Sequence, residues 1–192
     1  MLQARSGKTS LYTRKPMAGF VALLRAINVG GTGKLSMVDL RRLCEKEGFR
    51  DVSTYIQSGN VVFTSALAEA KVKDKLEKAL AKKLGKPVGV LLRSGAELSK
   101  LLKHNPFKTA PTNRVVVLFL EDAPAKGALS SVVSPGGEEL KLKGRDLFIH
   151  YPDGQGKSKL KLPFFKTGTA RNLNTVAKLA DMARELESSK SA

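Results

Sequence analysis

The chain has 192 residues, 42% of them hydrophobic, and carries 34 Lys and Arg against 17 Asp and Glu, a formal charge of +17. The apolar share suits a globular protein rather than a disordered one, and the length allows one domain or two small ones. A single cysteine, Cys44, excludes a disulfide framework and any cysteine-based zinc cluster.

The longest apolar runs, 20–24 and 115–120, are strand-length and fall short of the roughly 20 residues of a membrane helix. No signal-like segment precedes them, so the expected compartment is the cytoplasm, with no membrane span. The positive field attracts polyanions such as nucleic acid. Part of it is an ordinary solvated helix face, because over 69–83 the lysines are interleaved with Glu69, Asp74 and Glu77.

Residues 1–16 contain Arg5, Lys8, Arg14 and Lys15, no acid and no amphipathic period. The stretch 1–17 therefore reads as a basic tail outside the fold, with Met17 as an alternative start. A continuous apolar strand follows at 20–27, of the kind covered on both faces. Residues 28–34 form a glycine-rich loop. Ser36 opens a helix as N-cap, with Asp39 three residues on. Met37, Leu40, Leu43 and Cys44 form its buried stripe, and Gly48 ends it with Phe49 folding back. Strands at 52–57 and 60–64 turn around Ser58-Gly59. Ser65 is the expected cap of a helix over 67–84, whose Val72, Leu76, Leu80 and Leu84 share one face. A strand at 88–93 completes the order β-α-β-β-α-β, the ferredoxin-like split arrangement.

A linking helix at 96–103 precedes a second half. Its elements are a strand at 114–120, a weak helix at 125–132, and a hairpin of 140–143 with 146–151 turning at Gly144-Arg145. A short helix at 159–165 and a long one over 172–186 follow. The order is a degenerate copy of the first with its last strand not visible and no residue-level repeat. The expected fold is α+β: two ferredoxin-like (βαββαβ-type) halves packed together, the second degenerate, plus a C-terminal helix. The divisions fall at 18–94, a linking helix and loop at 95–112, and 113–192.

Four segments have the chemistry for a site. The first runs from Arg25 through Asn28, Gly30 and Gly31 to Lys34; a glycine-rich turn between strand and helix presents backbone N–H groups to an anion. It is not a Walker phosphate loop, since Asn28 stands where the first glycine belongs and Leu35 where Ser or Thr would bind magnesium. The second holds Tyr55, Gln57 and Asn60, with Tyr55 and Gln57 on one strand face. The third, 151–159, is glycine-rich and basic and ends on Lys159. In the fourth, Arg171, Asn174 and Lys178 share a helix face, with Asn172 or Thr169 as N-cap. The bland readings are a tight turn, a hairpin, a surface loop and a capped, solvated helix. His104 and His150 lie far apart, and no metal or nucleophile motif occurs.

Together these segments resemble the bacterial family known as domain of unknown function 1697. The similarity rests on Leu24-Arg25-Ala26-Ile27-Asn28-Val29-Gly30-Gly31, on Thr54-Tyr55-Ile56-Gln57-Ser58-Gly59-Asn60-Val61-Val62-Phe63, and on His150-Tyr151-Pro152-Asp153-Gly154 with Ser158-Lys159. It closes on Arg171-Asn172-Leu173-Asn174-Thr175-Val176-Ala177-Lys178-Leu179. Ala26 departs from the glycine usual in the family and Leu173 from its tryptophan. The resemblance implies two ferredoxin-like halves and no activity, and a fold of this kind hosts many functions.

The expected function is binding of a phosphate-bearing ligand, a nucleic acid or a nucleotide, in a polar, basic site between the halves. Arg25, Asn28, Gly30, Gly31, Tyr55, Gln57, Asn60, Lys159, Arg171, Asn172, Asn174 and Lys178 would line it. Arg171 would be an exposed fork gripping two oxygens, dispensable for the fold. No cofactor and no metal are expected. The alternatives are an enzyme on a small anionic substrate, with Tyr55 or Lys178 as proton carrier, and an interaction module whose polar motifs join the halves.

Overall fold

Alternating apolar side chains give the first sheet two dry faces. In β1 (Ala18–Leu24), Phe20, Ala22 and Leu24 enter one core while Val21 and Leu23 enter another. The structure is a computed structural model describing residues 17–27 and 35–188. The expected tail, Met17 apart, and the glycine-rich segment with Asn28, Gly30 and Gly31 lie outside the described residues.

β1 pairs antiparallel with β3 (Asn60–Ser65) and β4 (Val90–Arg93), and β2 (Arg50–Tyr55) pairs with β3. The order β2-β3-β1-β4 is that of a ferredoxin-like sheet. Its outer face is covered by α1 (Met37–Lys46) and α2 (Glu69–Leu84). Ser36 caps α1 as expected, accepting the Asp39 N–H at 3.0 Å. Ser65 does not cap α2: it ends β3 and accepts from the Leu67 N–H, and Ala68 is the N-cap with no side-chain bond.

The second half repeats the topology. β5 (Val115–Phe119), β6 (Glu139–Lys143), β7 (Asp146–His150) and β8 (Thr169–Asn172) form a sheet in the order β6-β7-β5-β8. β8 is the strand the sequence pattern hides. Four residues, Thr-Ala-Arg-Asn, show no apolar alternation, and Arg171 and Asn172, expected on a helix, belong to the strand instead, the helix starting at Leu173. The weak helix expected at 125–132 is only a series of turns; Gly127 and the Ser130-Ser131 pair break the run of helix formers Ala125, Lys126, Ala128 and Leu129 before a stable helix can propagate. The short helix expected at 159–165 is a single 3₁₀ turn at Pro163–Lys166.

The inner faces of the sheets share one core with α3 (Gly95–Lys103) and α4 (Leu173–Ser188). These helices approach closely at Gly95, where an added Cβ would come within 2.9 Å of the Ala183 Cβ. The outer face of the second sheet is covered by Leu160 and Leu162 from the chain before β8.

Two buried arginines join the halves reciprocally. Arg93 on β4 pairs in register with Val21, and Arg171 on β8 with Val117. Arg93 donates to its own neighbour's carbonyl, Leu92 O, at 2.8 Å, then crosses to Leu120 O at 2.9 Å, Arg145 O at 3.4 Å and Asp146 Oδ1 at 2.8 Å. Arg171 donates to Ala170 O at 2.8 Å, then crosses to Leu24 O at 3.1 Å, Gly59 O at 3.4 Å and Asn60 Oδ1. Each acceptor set is a strand end plus the following hairpin. The same backbone bond sits beside both: Leu24 N–H to Gly59 O and Leu120 N–H to Arg145 O. A residue-level repeat thus exists in space, with Leu24, Asn60 and Arg93 matching Leu120, Asp146 and Arg171.

The register of α2 is directly testable. Leu76 is fully buried, whereas the Lys78 side chain is 75% exposed. Leu76→Ala is expected to lower the unfolding free energy by ~2–5 kcal/mol in urea titrations, and Lys78→Ala by less than about 0.5 kcal/mol. Equal losses would place α2 in a different rotation.

Candidate functional site

At one corner of the molecule β1 runs out beside the β2–β3 turn and the start of β8. The Arg25 N–H donates to Gly89 O at 2.9 Å, so the chain is still held by β4 as it leaves the sheet. The Arg25 guanidinium lies over Gly89, where an added Cβ would come within 3.2 Å of it, and its Nη1 donates to Thr167 O at 3.1 Å. Gly59, at φ +76, lets the turn press against Leu24 and Ile27.

Two residues here hold left-handed backbone that their side chains disfavour. Ala26 has φ 47 and is exposed; Ile56 has φ 48 and is 48% exposed. Such a conformation costs about 1–2 kcal/mol for an L-residue, and a β-branched one is a marked outlier. Strain of this kind collects at functional sites. The third such residue, Asp51, lies elsewhere in the irregular part of β2, with its carboxylate accepting from the Thr64 hydroxyl.

Behind this corner is the Arg171 guanidinium, 7% exposed. All five of its N–H groups are used: Nε to Asn60 Oδ1, Nη1 to Thr169 Oγ1 and Ala170 O, Nη2 to Leu24 O and Ser58 O. Burial pushes its pKa down to about 10, which leaves it charged at neutral pH. Arg93 has the carboxylate of Asp146 as its counter-charge; Arg171 faces an amide at the matching position. The amide has its own reason. Asn60 Nδ2 donates to Tyr55 O and Ser58 Oγ, both at 2.9 Å, and a carboxylate would turn the first of these into a repulsion. Among the described residues, no carboxylate pairs with Arg25 or Arg171.

The corner therefore brings together Arg25, Asn60, Arg171 and the main chain of Tyr55 and Ser58. Other expected site residues are placed differently. The Tyr55 side chain packs on the inner core, and Gln57 sits exposed in the turn after β2 rather than sharing a strand face with it. Asn172 is the cap of α4, its Oδ1 accepting the Thr175 N–H at 2.9 Å. Asn174 and Lys178 lie exposed on α4, and Arg171 is on β8 facing inward, so the shared helix face does not form. Lys159 lies on the chain covering the opposite face of the second sheet, beside Leu160.

Classical catalytic groups are not assembled here. Cys44 is buried and its thiol is pushed up to about 12, first by burial and then by Glu45 and Glu47, so it is not a nucleophile. His104 Nδ1 lies 2.7 Å from Lys100 O, and His150 Nδ1 lies 3.1 Å from Glu139 Oε1, each remote from the corner in the fold. Among the described residues no cluster could hold a metal ion, and no helix is long and apolar enough to cross a membrane. A cleft of about 440 Å³ between α3 and the β6–β7 hairpin includes Lys100, Lys143 and Arg145, but Arg145 is engaged by Glu97 at 2.7 Å.

Sequence reasoning missed Arg93 and Asp146. The signal was present for one of them: Arg93 ends an apolar strand just before the Ser94–Glu97 capping box, so it had to be either exposed at a sheet end or buried with partners.

Two substitutions act in opposite directions. Arg171→Ala removes the arginine donors of Asn60 Oδ1 and Ser58 O and leaves Leu24 O with the Thr169 hydroxyl alone, and is expected to cost roughly 3–5 kcal/mol in denaturant titrations. This replaces the view of Arg171 as dispensable for the fold. Ala26→Gly relieves the left-handed strain and is expected to stabilise by up to ~1 kcal/mol in the same assay.

No curated protein matches the chain. Among solved structures, the conserved bacterial protein SP0830 from Streptococcus pneumoniae is similar, with 26% sequence identity and a TM-score of 0.69 over 88% of this chain and 99% of that one. The model of the family described as "Protein of unknown function (DUF1697)" matches residues 17–148, which include β1, the β2–β3 turn and both ends of the Arg93 tie, and the chain belongs to that family.

Proposed function

We propose that this protein binds a phosphate-bearing ligand at the corner formed by Arg25, the β2–β3 turn and the start of β8, and does so in the cytoplasm. The observation that carries this reading is the charge imbalance between the two matching corners. Arg93 is neutralised by Asp146, whereas among the described residues no carboxylate pairs with the buried Arg171 or with Arg25, whose guanidinium donates to Thr167 O. A bound phosphate would supply the missing counter-charge. Arg25 is the group placed to touch it, and Arg171 is a fixed positive charge behind, because its donors are already used. The strained residues Ala26 and Ile56 lie at the same corner, next to Arg25 and in the β2–β3 turn.

A second reading rests on the saturation of Arg171: the corner is a seam that joins the halves and holds nothing. The two separate cleanly. Inorganic phosphate and a nucleoside monophosphate are titrated against ¹⁵N-labelled protein. The binding reading expects saturable shifts at Arg25, Ser58 and Gly59, and a roughly 10–100-fold loss of affinity in Arg25→Ala with its melting temperature retained. No saturable shift at these amides, or an unchanged affinity in Arg25→Ala, leaves the seam reading in place.

A further inference from the structure

The chain that covers the outer face of the second sheet carries a feature that neither the fold nor the corner explains. Between the 3₁₀ turn at Gln155–Lys157 and that at Pro163–Lys166 the backbone is extended, and its side chains alternate. Leu160 and Leu162 turn inward onto Val116, Leu118 and Ile149, while Lys159 and Lys161 are exposed. Burial of two leucines in an extended segment fixes the lysines on the opposite side. Lys166 follows, also exposed, and among the described residues none of these three lysines has a carboxylate partner. Glu138, though close in the fold, is turned inward, where it accepts from the Ser158 hydroxyl and from the Gly136 N–H. Lys157 shares a small hollow with Glu138 and Asp153 and is not counted among the unpaired cations.

Lys159 and Lys161 form one side of a groove of about 410 Å³ whose other walls include Val132, Val133, Pro135 and Pro163. Val133 is 75% exposed, and Phe165, two residues along the chain from the lining Pro163, is 38% exposed. Two cations on apolar groove walls, with an exposed ring on the same segment of chain, match the two surfaces of a single nucleic-acid strand. Its phosphates need the cations and its unpaired bases need apolar or aromatic faces. A duplex hides its bases, and a membrane surface would be met by a convex patch rather than a groove. The segment also leads to the corner: Thr167, immediately after Lys166, is the residue whose carbonyl holds Arg25.

We infer that the groove lined by Lys159, Lys161 and Pro163, continued along the exposed chain to Lys166, is a binding track for single-stranded nucleic acid, with Lys159, Lys161 and Lys166 on its phosphates and Phe165 stacking on a base. This deepens the phosphate-binding reading, on which it rests for the end of the strand that reaches Arg25. The affinity is electrostatic in origin, so it is salt-dependent and tolerant of sequence.

The test measures fluorescence anisotropy of labelled oligo(dT) and oligo(U) over a range of salt concentrations, with the full chain. Lys159→Gln/Lys161→Gln is expected to reduce the slope of log K against log salt by roughly 1.4, and to weaken binding by roughly 10–30-fold at 0.1 M salt. Phe165→Ala is expected to weaken binding about fivefold or more without changing the slope. Lys46→Gln/Lys82→Gln, on the groove between α1 and α2, serves as the charge-matched control and is expected to have a smaller effect. Circular dichroism melts establish that each variant is folded. The inference is overturned if the control lowers the slope as much as the groove variant does, if Phe165→Ala binds like the parent, or if duplex DNA or phosphatidylserine vesicles bind more tightly than the single strand. The two readings fail separately. Phosphate shifts at Arg25 with no oligonucleotide response to the groove variant reject the track alone. Groove-dependent oligonucleotide binding with no phosphate shift at Arg25 rejects the corner alone.

Discussion

A guanidinium taken out of water must find a partner for every N–H, and two such groups hold the halves of this protein in register. Arg93 and Arg171 each reach from an edge strand of one half to a strand end and hairpin of the other. The acceptors are chiefly main-chain carbonyls, whose positions depend on correct folding of both sheets. A buried, unsatisfied guanidinium is costly enough that only one relative placement of the halves is tolerated. The apolar core supplies most of the stabilisation, but hydrophobic contact is non-directional and would accept small slides that the arginines do not.

The near-symmetry of the two ties gives the corner its electrical character. One tie is an ion pair, with Arg93 also lying 5.3 Å from the centre of the Phe119 ring. The other places an amide where the carboxylate would be, because that position must donate to Tyr55 O as well as accept from the arginine. Local hydrogen bonding in a turn thus leaves a positive charge with no carboxylate partner among the described residues beneath the exit of β1. A duplicated architecture with one neutral and one positive corner has an asymmetry available for binding, and the strained Ala26 and Ile56 lie on the positive side. The glycine usual in the family at position 26 fits the left-handed backbone that Ala26 adopts here.

Much of the first half was legible in the sequence because its elements bury one face each. The stripe Val72, Leu76 and Leu80 and the Ser36 cap of α1 stand as expected. The second half was less legible where apolar pattern and local propensity were weak. β8 has four residues and one of its inward-facing side chains is an arginine, so nothing in its pattern resembles a strand. The turns over 125–135 have their helix formers interrupted by Gly127 and by Ser130-Ser131, and their conformation is decided by what they cover. Of the expected site, the polar character of Asn60 and Arg171 was apparent, but they are spent on each other; Lys159 belongs to a different surface.

The sequence by itself determined the periodicities, the order of elements in the first half, the excess of positive charge and the residue types able to meet an anion. Those follow from local chemistry, since a helix or strand is set by the residues within it and charge is a matter of composition. Only the tertiary structure decided which cations are consumed inside the protein and which face water. Arg171 and Lys159 look alike as basic residues beside glycine-rich chain, yet one lies in a low-dielectric seam ringed by carbonyls from 111 and more residues away and the other on an extended segment held outward by two buried leucines. That distinction depends on burial and on partners distant in the chain, and no local window of residues contains it.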